Sequence, residues 1–141
     1  MSASARPWTA AWAPLAAAAA GAMRHARGRS ARGAAVEDEA GAIHVGASIR
    51  VTPLPPSSLC AEQIAIAAMC VEGRRRARRI IVVGAGPAGA PAPCGRCLQN
   101  LIELGADAEI RWGTPTEERG RAKVTRLLPL AFRDYRSISD G

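Results

Sequence analysis

Two short stretches of this 141-residue sequence hold residues whose types and spacing could do chemistry. Cys60-Ala61-Glu62 lies at the start of a predicted helix, about Leu59–Glu72, and Pro93-Cys94-Gly95-Arg96-Cys97 opens another, Cys94–Leu104. Helix N-termini favour the thiolate form of cysteine, and zinc suits sulfur ligands in a tetrahedral shell. Cys94 and Cys97 are three residues apart, so both can point to one side of their helix, and Cys60 makes a third ligand. No further Cys or His is placed to close the shell. Three protein ligands with an open fourth position mark a catalytic rather than a structural zinc. Glu62 does not share a helical face with Cys60, which suits a proton carrier for metal-bound water better than a ligand. Cys70 lies about 15 Å along the helix from Cys60 by helical rise and is expected to be a buried free thiol. His25 and His44 are expected to be ordinary surface residues.

The remaining elements must position these two stretches. The alanine-rich Thr9–Arg24 reads as a first helix rather than a secretory leader, because alanine is a weak leader residue and arginines follow it. Pro14 fits poorly inside that helix and is a candidate for its true start. Ala34–Glu37 and Ala42–Ala47 read as strands joined by the turn Asp38-Glu39-Ala40-Gly41. Val51–Ser58, with three prolines, is a loop; Ser58 can cap the helix that follows, and Gly73 ends it. Arg79–Val83 is a continuous apolar run and hence a buried strand. Ala108–Trp112 is another strand, Thr114–Arg121 a charged loop, Ala122–Thr125 a last strand and Arg126–Phe132 a short helix. Strands and helices in this order give a mixed sheet with helices on both faces, in one domain spanning 1–141, with 1–7 and 134–141 as flexible tails.

Composition narrows the function. Lys and Arg total 19 against 12 Asp and Glu, a formal charge of +7. That surplus raises nucleic acid or an anionic ligand as a partner, and Arg74-Arg75-Arg76-Ala77-Arg78-Arg79 is its densest run. Aromatic residues are only 4% of the chain, too few for a base-stacking platform. No apolar stretch is long enough for a membrane span. Four cysteines are too sparse for a disulfide scaffold, and thiolate ligation of zinc fits a reducing, cytoplasmic compartment.

One motif invites a different reading. Ile80–Val83 followed by Gly84-Ala85-Gly86-Pro87-Ala88-Gly89 has the strand–G-x-G-x-x-G form of dinucleotide-binding proteins. That chemistry needs a helix beginning inside the motif, and Pro91 and Pro93 stand where it would continue, each costing about 3 kcal/mol in a helix interior. A glycine-rich loop after a buried strand is the favoured reading.

The pairing of Cys60-Ala61-Glu62 with Pro93-Cys94-Gly95-Arg96-Cys97 resembles the signature of zinc nucleobase deaminases. With Gln99, the ending Arg126-Leu127-Leu128-Pro129-Leu130-Ala131-Phe132 and the segment Arg32-Gly33-Ala34-Ala35-Val36, the chain resembles the cytidine deaminases of the small, all-cysteine, tetrameric kind over about Trp8 to Phe132. The blasticidin S deaminases are similar in the same motifs. The resemblance implies a three-layer α/β/α sandwich with a mixed five-stranded sheet. It implies Zn²⁺ on Cys60, Cys94 and Cys97 and hydrolytic deamination at C4 of a cytosine ring. Glu62 would move protons to N3 and to the departing ammonia, and the backbone at Ala61 and Ala92 would contact the base. It further implies a homotetramer whose subunits complete one another's pockets, with Phe132 or Tyr135 as the C-terminal aromatic.

Four positions depart from the family pattern. Ser48-Ile49-Arg50 stands where the family usually has Asn-x-Glu to hold ribose hydroxyls. A guanidinium cannot accept a hydrogen bond but can hold a phosphate or carboxylate. The family phenylalanine that packs on the base aligns with Ser30, and the arginine that follows the glutamate aligns with Gln63. Three thiolates on Zn²⁺ leave a formal charge of −1, which Arg96 or Arg50 could offset. The leading expectation is deamination of cytidine or deoxycytidine. The alternatives are a modified or anionic nucleoside, a basic nucleic-acid-binding protein and an inactive zinc relative.

Overall fold

A computed structural model of the chain describes residues 4–133. A mixed sheet of six strands lies between two helical layers. In chain order the elements are β1 (Arg6–Pro7), α1 (Ala13–Met23), β2 (Arg32–Asp38), β3 (Ile43–Ala47) and α2 (Ala61–Val71). They continue as β4 (Ala77–Gly84), α3 (Gly95–Gly105), β5 (Glu109–Gly113), β6 (Glu117–Lys123) and α4 (Val124–Leu127). The sheet order is β1-β6-β5-β4-β2-β3. Only β4 and β5 run parallel, joined by α3; every other pair is antiparallel.

Alternation along the central strands builds a core on each face. Ala34, Val36, Ile80 and Ile110 pack with α2 and α3 through Ala65, Met69, Leu98 and Leu101. Ala35, Ile81 and Val83 pack with α1 through Trp12, Leu15, Ala16 and Ala19. A strand covered on both faces is apolar at consecutive positions, which is why β4 reads as an unbroken run. Full burial of Ile80, Ile81, Leu101 or Ile110 stabilises by about 1.5–3 kcal/mol each. The three-layer α/β/α expectation is met. Helix α1 is a core helix; it starts at Ala13, and Pro14 occupies the first turn, where its missing N–H costs nothing.

Several expectations need correction. The sheet has six strands rather than five. The sixth, β1, is only two residues long, contains a proline, and forms within the segment 1–7 expected to be a tail; it pairs Arg6 with Glu118 and Pro7 with Glu117. Residues 134–141 lie outside the described residues. The charged stretch Thr114–Arg121 is not a loop but the turn and most of strand β6. Its charges are matched across the sheet. Arg111 on β5 donates to Glu109 at 2.8 Å and to buried Glu118 at 2.9 Å, and Arg121 contacts Glu118 at 2.7 Å. Arg111 also lies over the Trp12 ring, 4.3 Å from its centroid. Thr114 Oγ1 closes the turn by accepting the N–H groups of Thr116 and Glu117. The expected last strand Ala122–Thr125 is the end of β6 and the start of α4, and helix stops at Leu127, ahead of Pro129. Cys70 is exposed rather than buried. His44 is not a free surface residue: its Nε2 lies 2.7 Å from Oδ2 of buried Asp38.

Candidate metal centre and active site

The site lies where two helices begin. Cys60 is the N-cap of α2 and Cys94 the N-cap of α3, both with extended backbone, and Cys97 sits in the first turn of α3. Their Sγ atoms all lie within 4.8 Å of one another. Cys60 Sγ is 4.0 Å from Cys94 Sγ, which is 3.6 Å from Cys97 Sγ. Three sulfurs each about 2.3 Å from a tetrahedral zinc would lie about 3.8 Å apart, so the three side chains fit that ion. They form the one such cluster of Cys, His, Asp or Glu among the described residues.

Local sequence fixes these positions. Ile49 and Leu59 exchange backbone hydrogen bonds at 3.0 and 2.9 Å, which ties the chain after β3 to the residue before Cys60. Helix α2 then settles on β3 at Gly46. A Cβ added there would meet Ala61 O at 2.3 Å and Ala65 N at 2.5 Å, so only glycine lets the helix approach this closely. On the other side, Gly89 and Ala90 pack against Gly113 of β5, and Arg119 donates to Pro87 O at 2.8 Å. The G-x-G-x-x-G segment is therefore a braced loop delivering the chain to buried Pro93 and exposed Cys94. No helix starts inside the motif, and α3 begins only at Gly95.

The electrostatics of the three thiols differ. At Cys94 burial raises the pKa, but the N–H groups of Cys97 and Arg96 at the helix start and the neighbouring thiols outweigh it, and the net shift is downward. At Cys97 burial pushes the pKa far up, and the negative charges of Glu62, Cys60 and Cys94 push it further. A bound dication would reverse that second contribution. Glu62 is 4% exposed, on the first turn of α2. Burial raises its pKa, partly offset by its own backbone N–H and by the positive charges of Arg32 and Arg50.

Sequence reasoning missed two features. The first is the bridge that Gln63 and Arg96 form. Gln63 Oε1 accepts from Cys60 N at 3.2 Å and from Arg96 at 3.0 Å, while Arg96 also donates to Ser58 O at 3.0 Å. Arg96 thus brings its positive charge beside Cys60 through the residue that replaces the family arginine. The second is Arg32, whose charge reaches Glu62; its signal was the first position of the Arg32–Val36 segment. Ser48 is fully buried, and its Oγ accepts from Arg32 N at 3.0 Å, so it braces the start of β2. Arg50 is half-buried, Ala61 buried and Ala92 half-buried. Ser30 is exposed, with φ 55° in the left-handed region. Gln99 Nε2 holds Phe132 O at 2.9 Å, leaving the Phe132 ring 72% exposed; Tyr135 lies outside the described residues.

The Arg74–Arg79 run is at the other end of β4 from Cys94. Arg74 lies 3.5 Å from Asp38, Arg79 pairs with Glu37, and Glu39 accepts the N–H groups of Arg75 and Arg76. Much of the run is thereby committed to bracing the β2–β3 turn. No helix among the described residues is long and apolar enough to cross a membrane.

With sheet, helix starts and thiol cluster in place, comparison with known proteins is direct. Residues 7–113 match the family profile described as the cytidine and deoxycytidylate deaminase zinc-binding region. The fold is similar to that of cytidine deaminase from Burkholderia pseudomallei, with a TM-score of 0.77 and 29% identity over 89% of this chain and 100% of that one. It is also similar to cytidine deaminase from Mycobacterium tuberculosis, with a TM-score of 0.73 and 28% identity over 89% and 100%. The cytidine deaminase from Mycobacterium leprae matches at 0.72 and 26% identity over 86% and 99%. Comparison with curated proteins gives no match. The fold and the site define a zinc-binding deaminase. The chain belongs to the cytidine and deoxycytidylate deaminase family.

Proposed function

We propose that the chain is a zinc-dependent hydrolytic deaminase that converts cytidine, deoxycytidine or a related cytosine nucleoside to its uracil form and ammonia. The carrying observation is the Cys60–Cys94–Cys97 cluster at two helix starts, with the buried carboxyl of Glu62 on the first turn beside it. Zinc held by Cys60, Cys94 and Cys97 would supply a Lewis acid that makes a water more acidic. Glu62 would accept a proton from the attacking water and deliver it to N3 of the ring. The oxygen bonds to C4, the bond from C4 to the amino nitrogen breaks, and Glu62 carries the second water proton to the leaving nitrogen. One water proton ends on N3 and the other in ammonia. The raised pKa of Glu62 suits it to hold a proton between these transfers. The backbone of Ala61 and Ala92 positions the base, and Arg50 meets the rest of the substrate, with fully buried Ser48 bracing the start of β2 behind it rather than touching the substrate.

Assembly as a homotetramer and a reducing, cytoplasmic setting belong to the same proposal. The exposed Phe132 ring supports the first, and thiolate ligation supports the second. The test is ammonia release by zinc-loaded protein from cytidine, deoxycytidine, cytosine, CMP and blasticidin-like nucleosides. Turnover of a cytosine nucleoside, abolished in Glu62→Gln with zinc retained, is expected. Full metal occupancy with no turnover of any of them would overturn the proposal in favour of an inactive zinc relative. Salt-sensitive binding of single-stranded nucleic acid without nucleoside turnover would favour the nucleic-acid reading.

A further inference from the structure

Strand β6 carries a bulge close to the candidate site. Trp112 pairs with Gly120 and Gly113 with Glu118, so Arg119 has no partner in β5 and is the extra residue. A bulge bends its strand and re-aims a side chain, and such bends recur beside active sites. Here the side chain is that of Arg119, and it meets the loop between β4 and α3. Its Nη2 donates to Pro87 O at 2.8 Å and to Glu117 Oε2 at 3.1 Å. Its Nε is buried without a hydrogen-bond partner, the one side-chain nitrogen or oxygen in that state among the described residues. An arginine turned out to water would satisfy that atom, so holding it inward costs free energy. The bond to Pro87 is what the inward arrangement provides.

Pro87 stands between two left-handed glycines, Gly86 at φ +84° and Gly89 at φ +66°. Glycine leaves the backbone its widest freedom, so this part of the loop has little stiffness of its own. The same bulge holds the loop at a second point. Gly113 O accepts the Ala90 N–H at 2.9 Å, and a Cβ on Gly89 would meet C and O of Gly113 at 2.4 Å. Arg119 and Gly113 thus grip the loop at Pro87 and at Ala90. Ala92 follows, the residue whose backbone meets the ring, and Pro91 and Pro93 restrict the chain on either side of it. The thiols are anchored differently. Cys94 and Cys97 belong to the start of α3, which Leu98, Leu101 and Ile102 fix in the core.

We infer that Arg119 is a positioning residue of the active site. From the β6 bulge it pins the loop at Pro87 and thereby sets where the Ala92 backbone stands against the cytosine ring. Its hydrogen bonds go to Pro87 and Glu117, not to a thiol or to Glu62, so it acts on substrate binding rather than on the metal or the proton transfer. The inference rests on the deaminase reading and adds to it a residue that lies outside both cysteine motifs.

The test uses full-length, zinc-loaded protein with Arg119→Ala, Arg119→Lys and, as control, Arg121→Ala, which removes a charge of the same strand that pairs with Glu118 instead. Amide hydrogen exchange, read by mass spectrometry, compares residues 84–93 with α3. Ammonia release gives kcat and KM for cytidine and deoxycytidine, calorimetry gives uridine affinity, and a chromogenic chelator gives zinc affinity. In Arg119→Ala, exchange over 84–93 should quicken about tenfold with α3 unchanged, the scale of one charge-assisted hydrogen bond. KM should rise and uridine affinity fall about tenfold, with kcat and zinc affinity within about threefold of the unaltered protein, as for lost binding common to ground and transition states. Arg119→Lys keeps one donor and should recover part of the loss, and Arg121→Ala should show none. Unchanged exchange over 84–93, or an equal loss in Arg121→Ala, overturns the inference. Loss of zinc in step with KM also overturns it, because Arg119 would then support the whole site rather than place the ring. Turnover by the unaltered protein with KM untouched in Arg119→Ala sinks the inference and leaves the deaminase reading standing. If the unaltered protein releases no ammonia, that reading fails and uridine affinity decides the inference: binding about tenfold weaker in Arg119→Ala upholds it, and equal or absent binding overturns it.

Discussion

Replacing Gly46 by alanine should damage the metal centre from a residue that touches no ligand. The added methyl would stand 2.3 Å from Ala61 O and 2.5 Å from Ala65 N, both in the backbone of α2, so no side-chain rotation relieves it. The helix must retreat by about 0.7 Å, the difference between 2.3 Å and the 3.0 Å that real Cβ contacts essentially never undercut. Cys60 caps that helix, so its Sγ, now 4.0 Å from Cys94 Sγ, is drawn away from the other two thiols. A tetrahedral zinc tolerates little widening beyond an edge of about 3.8 Å. Overpacking of this kind costs about 1–3 kcal/mol of stability, and a displacement near 1 Å at a reacting group costs about a hundredfold in rate. Zinc affinity is read by competition with a chromogenic chelator, folding by urea titration and activity by ammonia release. The expected pattern is a folded protein with zinc affinity lowered at least about tenfold. Gly95→Ala is the control: it opens α3 beside two of the ligands, and its added Cβ meets nothing within 4 Å. Unchanged zinc affinity in a folded Gly46→Ala protein would refute the claim that α2's approach to β3 sets the cluster.

Arg96→Ala should lower zinc affinity by about ten- to a hundredfold, since it removes the charge that Gln63 holds beside Cys60; equilibrium metal competition checks it, and wild-type affinity would count against that role. Asp38→Asn should flatten the acid limb of stability. Its carboxyl is held below the ordinary value of 3.8 chiefly by the His44 hydrogen bond, opposed by burial and helped by the N–H groups of Ala42 and Ala40 and by Arg74. A native pKa below the unfolded one gives stability that is complete above the ordinary aspartate value and is lost as pH falls through the native one. Urea midpoints at pH 7 and pH 3 should therefore converge in the variant, and an unchanged difference would exclude Asp38 as the source. Cys70→Ser should leave zinc content and activity unchanged, because the thiol is exposed and outside the cluster; loss of zinc on metal analysis would contradict this.

The candidate site was legible in local sequence because its spacings are local. Cys94 and Cys97 share one helical turn, and Cys60 and Glu62 share another, so helix geometry alone brings each pair into range. The apolar run of β4 likewise declared a strand buried on both faces. Strand β6 was hidden because its charges are satisfied by partners on β5 and by the stacking of Arg111 on Trp12, a residue nearly one hundred positions away. Pairs so distant in sequence leave no periodicity to read. Strand β1 has two residues and exists only because β6 is there to pair with it.

The sequence by itself determined the cysteines and glutamate at two helix starts and the alternation that makes a covered sheet. Tertiary structure alone decided that Cys60 meets Cys94, 34 positions away in sequence, that Gly46 admits α2 to the sheet, and that Gln63 and Arg96 form one bridge. It also decided that the basic run braces a turn. The physical reason is that bond geometry propagates only a few residues along a chain. Charge pairing and close packing join segments whose separation in sequence carries no information about their distance in space.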